Sequence, residues 1–212
     1  MNNNKVYDLA YGAVHTLYER YLPDVEKSIS TFELTGKVSQ PVQMSKEESS
    51  NTPAPMEGFL AYENPAIGIR LQYPEGWDKI EDVGFDSGAT GVVFSPSSTS
   101  NIKDIRSLGI NYQLLPSPAT TLSQFADKEF NHTKAENFKG ILESNETTVA
   151  GLPAHKVVST QQDSSGKDLI SMKIFTIKDG IGYTVFYTGL EGAYSNFMPI
   201  TQKVINSLEI TK

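Results

Sequence analysis

The sequence predicts an α+β fold, an antiparallel sheet with helices packed on its faces. Three observations lead there. Residues 62–78, YENPAIGIRLQYPEGWD, hold a strict period-2 alternation: Ile67, Ile69, Leu71 and Tyr73 face one way, Gly68, Arg70 and Gln72 the other. Asp179-Gly180, a strong hairpin dipeptide, joins two further alternating runs. Two segments with helical spacing lie far apart in the chain, which places them on a sheet built mainly by hairpins.

Taken in order, residues 4–22 carry a helical stripe of Val6, Leu9, Ala10, Ala13, Val14, Leu17 and Tyr21, ended by Pro23. A second short helix is expected over residues 24–34. This helical extension, residues 1–35, would pack on its own domain, on its twin in a homodimer, or on another protein. Residues 36–57, GKVSQPVQMSKEESSNTPAPME, are dominated by Ser, Pro, Glu, Asn and Gln. Such a composition cannot offset its ordering entropy, so it reads as a flexible linker. The folded domain is then residues 58–212.

Within that domain, Asn64-Pro65 marks a turn, Pro74 stops the first alternating strand, and Trp77, the only tryptophan, plugs the end of a core. Residues 79–91, KIEDVGFDSGATG, read as an acidic loop. Val92, Val93 and Phe94 form a short buried strand, followed by a polar loop over 97–104. Leu108, Ile110, Tyr112 and Leu114 alternate with Gly109, Asn111 and Gln113 in another strand. Thr120-Thr121 caps a helix with Leu122, Phe125, Ala126, Glu129 and Phe130 at helical spacing, running to about residue 136. Strands are expected over 138–143 with 146–149, then 154–161, 168–177 and 181–188. Turns fall at 150–153 and 163–166. A closing helix holds Tyr194, Phe197, Met198, Thr201, Ile205 and Leu208 on one face. Pro199 is expected early in it, where a missing N–H costs least.

Length and composition bound the function. At 212 residues the chain suits one domain of about 150 residues with an appendage. There is no cysteine, which removes disulfides, thiolate metal sites and cysteine nucleophiles. The net charge of −7, from 25 acidic and 18 basic residues, repels phosphate backbones, so nucleic acid is not an expected partner. No basic run suits anionic lipid, and no stretch of 18 apolar residues suits a membrane span. The N-terminus has acidic and tyrosine residues inside its apolar pattern and does not read as a signal peptide. A soluble, unexported chain is expected, unless the assigned start has removed an export segment.

The chemistry-bearing residues are few. The sequence lacks G-x-S-x-G, a P-loop and an intact G-x-G-x-x-G. With three histidines, His15, His132 and His155, a catalytic triad is arithmetically possible, but serine is so abundant that chance proximity is no argument for one. Glu129-x-x-His132 with Glu136 resembles half of a carboxylate-bridged metal site; the second half is missing, so a solvated helix face accounts for it better. Glu81, Asp82 and Asp86 place three carboxylates within six residues. They would offer oxygen ligands to calcium or manganese, or form a solvated acidic loop; EF-hand spacing is absent. Tyr73, Trp77, Tyr112 and Tyr183 would be core, or would line a cleft for an apolar or peptide ligand. His155 would pack or cap locally. The sequons at Asn131 and Asn145 match chance expectation in so Asn- and Ser-rich a chain.

Several phrases together resemble the PsbP-domain family. YENPAIGIRLQYPEGWD is similar to its opening strand pair, ETTVAGLPAHKVVST to its Gly-x-Pro-Ala turn, and IFTIKDGIGYTVFYTG followed by YSNFMPITQKVINSLEI to its final hairpin and closing helix. The likeness covers residues 58–211 and is closest to stand-alone archaeal and bacterial PsbP-like proteins. It implies an α/β/α sandwich with a central antiparallel sheet, shared with the eukaryotic Ran-release factor. It implies a non-enzymatic interaction or assembly module docking on a larger protein complex, one that would be membrane-associated, since relatives are often exported or anchored. The alternative is a small-ligand or calcium/manganese-binding protein. No residue here speaks of the photosynthetic members' role at photosystem II.

Overall fold

The computed structural model describes residues 55–97, 105–133, 138–163 and 165–211. The helical extension over 1–35 lies outside these residues, as does the linker up to residue 54. Hairpins build most of the architecture. Strands β1 (Phe59–Asn64) and β2 (Ile69–Pro74) are followed by β3 (Trp77–Gly84), β4 (Thr90–Pro96) and β5 (Ile105–Leu114). Helix α1 (Leu122–Thr133) leads to β6 (Phe138–Val149), β7 (Leu152–Gln162), β8 (Asp168–Lys178) and β9 (Ile181–Leu190). A 3-10 turn (Glu191–Ala193) feeds α2 (Tyr194–Asn206), and β10 (Glu209–Ile210) closes the chain. A seven-stranded sheet runs β3-β4-β5-β9-β8-β7-β6, and a three-stranded sheet runs β1-β2-β10. All these pairings are antiparallel.

Side-chain parity decides the layers. On β8, Ile170, Met172 and Ile174 join the main core while Phe175 joins a second core. Successive strand residues point to opposite faces, so the two cores lie on opposite sides of the large sheet. The main core takes Tyr62, Ile69, Leu71 and Tyr73 from the small sheet and Val204 and Ile205 from α2. The second core packs Phe125, Ala126 and Phe130 of α1 on Val157 and Phe175. The α/β/α expectation is thus corrected to a more sheet-dominated architecture. One face carries α1, and on the other α2 shares its layer with the small sheet. Among the described residues, no helix is long and apolar enough to cross a membrane.

Local chemistry explains the element ends. Thr121 Oγ1 accepts from the Gln124 N–H at 3.2 Å, and Gln124 Oε1 accepts from the Thr121 N–H at 2.9 Å. This reciprocal capping box starts α1. Asp179-Gly180 and Ala150-Gly151 both have positive φ at the two central positions, the mirror-image turn that matches strand twist. Pro199 is the sixth residue of α2, one turn later than expected, so the Ser195 carbonyl has no helical donor there. After Ser207 the chain extends into β10 rather than prolonging the helix.

Two further sequence expectations change. Residues 79–84 belong to strand β3 rather than to a loop. An edge strand exposed along most of its length has no buried face, and so no alternation to read; Ile80 is 57% exposed. Glu129 is buried, not solvated: Gln113 Nε2 donates to its Oε1 at 2.6 Å, and Lys173 of β8 lies within reach of its charge. Asn111 and Thr184, opposite each other in the β5–β9 register, are also buried, and their side-chain oxygens have no hydrogen-bond partner among the described residues. The side chain of His132 and residue Glu136 lie outside the described residues.

Two outcomes are expected. Phe175 is fully buried and meets Phe125 edge-on at 6.0 Å, so Phe175→Ala should lower unfolding free energy by about 3–5 kcal/mol in urea denaturation. Burial holds the Lys173 ammonium below the ordinary lysine range, opposed by the Glu129 carboxylate. The unfolded chain therefore binds more protons between the folded and unfolded pKa values, and stability rises with pH up to about 10.4. Lys173→Met removes that gain. Compared at about pH 8 and about pH 10, wild type should improve relative to the variant; a constant difference would contradict the burial argument.

Candidate functional site

The site grows from the edge strand β3. Its register with β4 shifts between Ile80 and Val83, leaving Glu81 and Asp82 in a bulge. Asp82 adopts φ 55°, a left-handed conformation that Asp tolerates better than most residues. The bulge separates the two carboxylates. Glu81 takes the Lys79 ammonium at 3.0 Å, whereas Asp82 lines a cleft at the mouth between the two sheets. Asp86 sits beyond, in the turn closed by the Gly88 N–H on the Phe85 carbonyl. Among the described residues, no three carboxylates or imidazoles are placed to hold a metal ion. The geometry does not assemble a metal centre from Glu81, Asp82 and Asp86.

Of the four aromatic residues expected to line a cleft, Tyr112 and Tyr183 face each other in the β5–β9 register, while Tyr73 and Trp77 stand apart on β2 and β3. Tyr73 stacks on Phe94 with ring centroids 4.6 Å apart. Trp77 is buried at the head of β3, opposite Pro96. Tyr183 is fully enclosed and donates its hydroxyl to the Ile67 carbonyl at 3.1 Å. These three are core members. Tyr112, half-buried, is the one that reaches the mouth, where it meets Tyr62 and Asn64 of the small sheet and Asp82 of β3. The cleft has room for about one water-sized group, roughly 10 Å³.

Its electrostatics follow from that placement. Burial pushes the Tyr62 phenol up; the Asn64 amide and the Lys79 ammonium act against this, and the carboxylates of Glu81 and Asp82 add to it. Asn64 Nδ2 donates to the Tyr62 hydroxyl at 3.5 Å, and Asn64 Oδ1 accepts from the Ala66 N–H at 3.2 Å, fixing the turn that leads into β2. Lys79 Nζ stands 5.1 Å from the Tyr62 ring centroid. Asp82 has no ion-pair partner among the described residues.

Elsewhere, an open depression of about 470 Å³ lies where β8 and β9 meet the 3-10 turn, lined by Asp168, Leu190, Glu191 and Asn196. Asp168 there pairs with Lys139 at 2.5 Å, and that hydrogen bond, with Gln162, holds its carboxyl below the usual range. His155 Nε2 lies 3.0 Å from Ser144 Oγ on the neighbouring strand, a local contact on an exposed stretch.

Sequence reasoning missed Tyr62 and Asn64 as site members. They were legible only as a strand opening and a turn, because nothing in the chain order says which strand of the other sheet will face them.

No family model matches the sequence, and no curated protein matches it. Solved structures do. The solution structure of cyanobacterial PsbP (CyanoP) from Synechocystis aligns with a TM-score of 0.54 at 17% identity, covering 76% of this chain and 97% of that one. A crystal structure from Bacteroides thetaiotaomicron aligns at 0.49 and 16% identity, over 74% of this chain and 50% of that one. LpqN of Mycobacterium tuberculosis, described as involved in cell envelope biogenesis, aligns at 0.47 and 14%, over 68% and 83%. The likeness to CyanoP carries the conclusion that the motif phrases anticipated: this chain has the PsbP-like fold.

Proposed function

We propose that the chain is a non-enzymatic PsbP-like interaction module that docks on a larger protein assembly. The observation that carries this reading is β6, which among the described residues is an edge of the large sheet. Ile141 and Leu142 stand there 50% and 60% exposed, side by side on the last strand of the large sheet. Buried apolar pairs of this kind anchor interfaces, while exposed they gain nothing for the monomer. The register of β6 against β7 shifts at 138–140 and again at 141–143. Such bulges interrupt strand addition along an edge. The partner is therefore met by the two side chains rather than by continued backbone pairing. Lys139 with Asp168, and Glu143 with Lys156 at 3.0 Å, supply a polar rim on either side.

The test is cross-linked recovery from source cells, with soluble and membrane fractions kept apart. Ile141→Asp/Leu142→Asp should reduce recovery of a defined complex by about tenfold while leaving the unfolding midpoint nearly unchanged, because both side chains are exposed. Equal recovery by the double variant would sink the β6 surface.

The alternative, a calcium or manganese protein built on Glu81, Asp82 and Asp86, is tested by calorimetric titration. The parted carboxylates predict no binding heat with about 1 mM of either ion. Heat that vanishes in Asp82→Asn/Asp86→Asn would reverse that expectation.

A further inference from the structure

We propose that the cleft at the mouth between the sheets is a receptor for a primary ammonium group, the head of a lysine side chain or of a small amine. Four residues argue for it. The Asp82 carboxylate carries a negative charge that no ion pair among the described residues offsets. Tyr62 brings a phenolic oxygen, Asn64 holds that hydroxyl in place through its Nδ2 at 3.5 Å, and Tyr112 closes the opposite wall from β5. An ammonium presents three N–H donors and no acceptor, which suits a cleft rimmed by a carboxylate and a hydroxyl.

Size and charge select the class. Room for about one water-sized group admits a head group and not a whole molecule. Ile67 and Ile110 help line the rest of the cleft, so the head group meets apolar walls beside the Asp82 charge. A divalent cation would want six or more oxygen ligands, and among the described residues Asp82 is the one charged group lining the cleft. The Tyr62 ring already attracts one ammonium, that of Lys79 at 5.1 Å, whose charge Glu81 balances at 3.0 Å. The charge of Asp82 is left over for a second.

The experiment is amide NMR of the full chain titrated with n-butylammonium, N-acetyl-lysine N-methylamide, n-butanol and tetramethylammonium, at constant ionic strength. Concentrations reach about 10 mM, tenfold above a Kd of about 1 mM. Both primary ammonium probes should shift the amides of Asp82, Gly91 and Tyr112. The neutral isostere and the oversized quaternary ion should not. Asp82→Asn is a clean control, because Asn also adopts the left-handed backbone that this position requires. It should weaken n-butylammonium binding by about tenfold. Response to the lysine derivative alone would keep the site and assign it to a peptide side chain. The proposal is overturned if n-butanol shifts the same amides as strongly, if Asp82→Asn binds unchanged, or if neither ammonium probe shifts them.

Discussion

The two sheets depend on the contact of Phe94 with Tyr73 and Tyr62. Phe94, on β4, is completely buried; Tyr73 stacks on it at 4.6 Å and Tyr62 meets it edge-on at 5.7 Å. Such pairs contribute about 0.5–1.5 kcal/mol each beyond their buried area. The small sheet needs them. A six-residue hairpin pair extended by a two-residue strand is not stable in water without a packed face. On its other side Arg70 reaches Glu63 at 3.0 Å and Glu209 at 3.4 Å, spanning all three strands. These half-exposed ion pairs add little free energy, so the clamp acts on register, and the aromatic contact holds the layer down.

A second device holds the β3–β4 hairpin. A Cβ on Gly109 would fall 2.3 Å from the Val92 carbonyl and 2.7 Å from the Phe186 ring. The bare glycine makes a seat for Phe186, and Phe85, at the end of the hairpin, meets that ring edge-on at 5.5 Å. Glycine covered by an aromatic neighbour restores the packing that the missing side chain forfeits. The tie matters for the cleft because the same hairpin carries the bulge that turns Asp82 toward Tyr62 and Asn64. Strand β3 has little core of its own, so the position of Asp82 rests on pairing with β4 and on this remote aromatic contact.

The opposite face of the large sheet is built differently. There α1 packs beside buried polar groups: Glu129 receives Gln113, while Lys173, Asn111 and Thr184 lie on the strands below. Burial of charge costs more than burial of a leucine would, so this arrangement favours one specific helix placement over maximal stability. The α2 face has the reverse character, with Val204 and Ile205 on a continuous apolar layer.

Much of this fold was legible in the chain. Strands whose main-core face carries the large apolar residues announce themselves by period 2, so β2, β5, β8 and β9 were readable from Ile69 to Tyr73, Leu108 to Tyr112, Ile170 to Ile174 and Ile181 to Tyr187, even though β8 and β9 are covered on both faces. Helix α1 was readable from Thr121 and the spacing of Phe125, Ala126 and Phe130, and the hairpin at Asp179-Gly180 from its dipeptide. These signals are local, set by backbone geometry and the burial of one face. The edge β3 carries no such signal, because both its faces meet solvent. The carboxylate of Glu129 looked solvated, because helical spacing alone cannot say that Gln113 and Lys173 lie opposite. Asp82 and Tyr112 were each singled out, one as a metal ligand and one as a cleft wall. That they share one small cleft, with Tyr62 and Asn64 and without Glu81 or Tyr183, is a matter of long-range packing. Local pattern determines which residues are buried. Only the docking of one sheet on the other decides which of them face each other, because that choice is made by side-chain shape across strands distant in the chain.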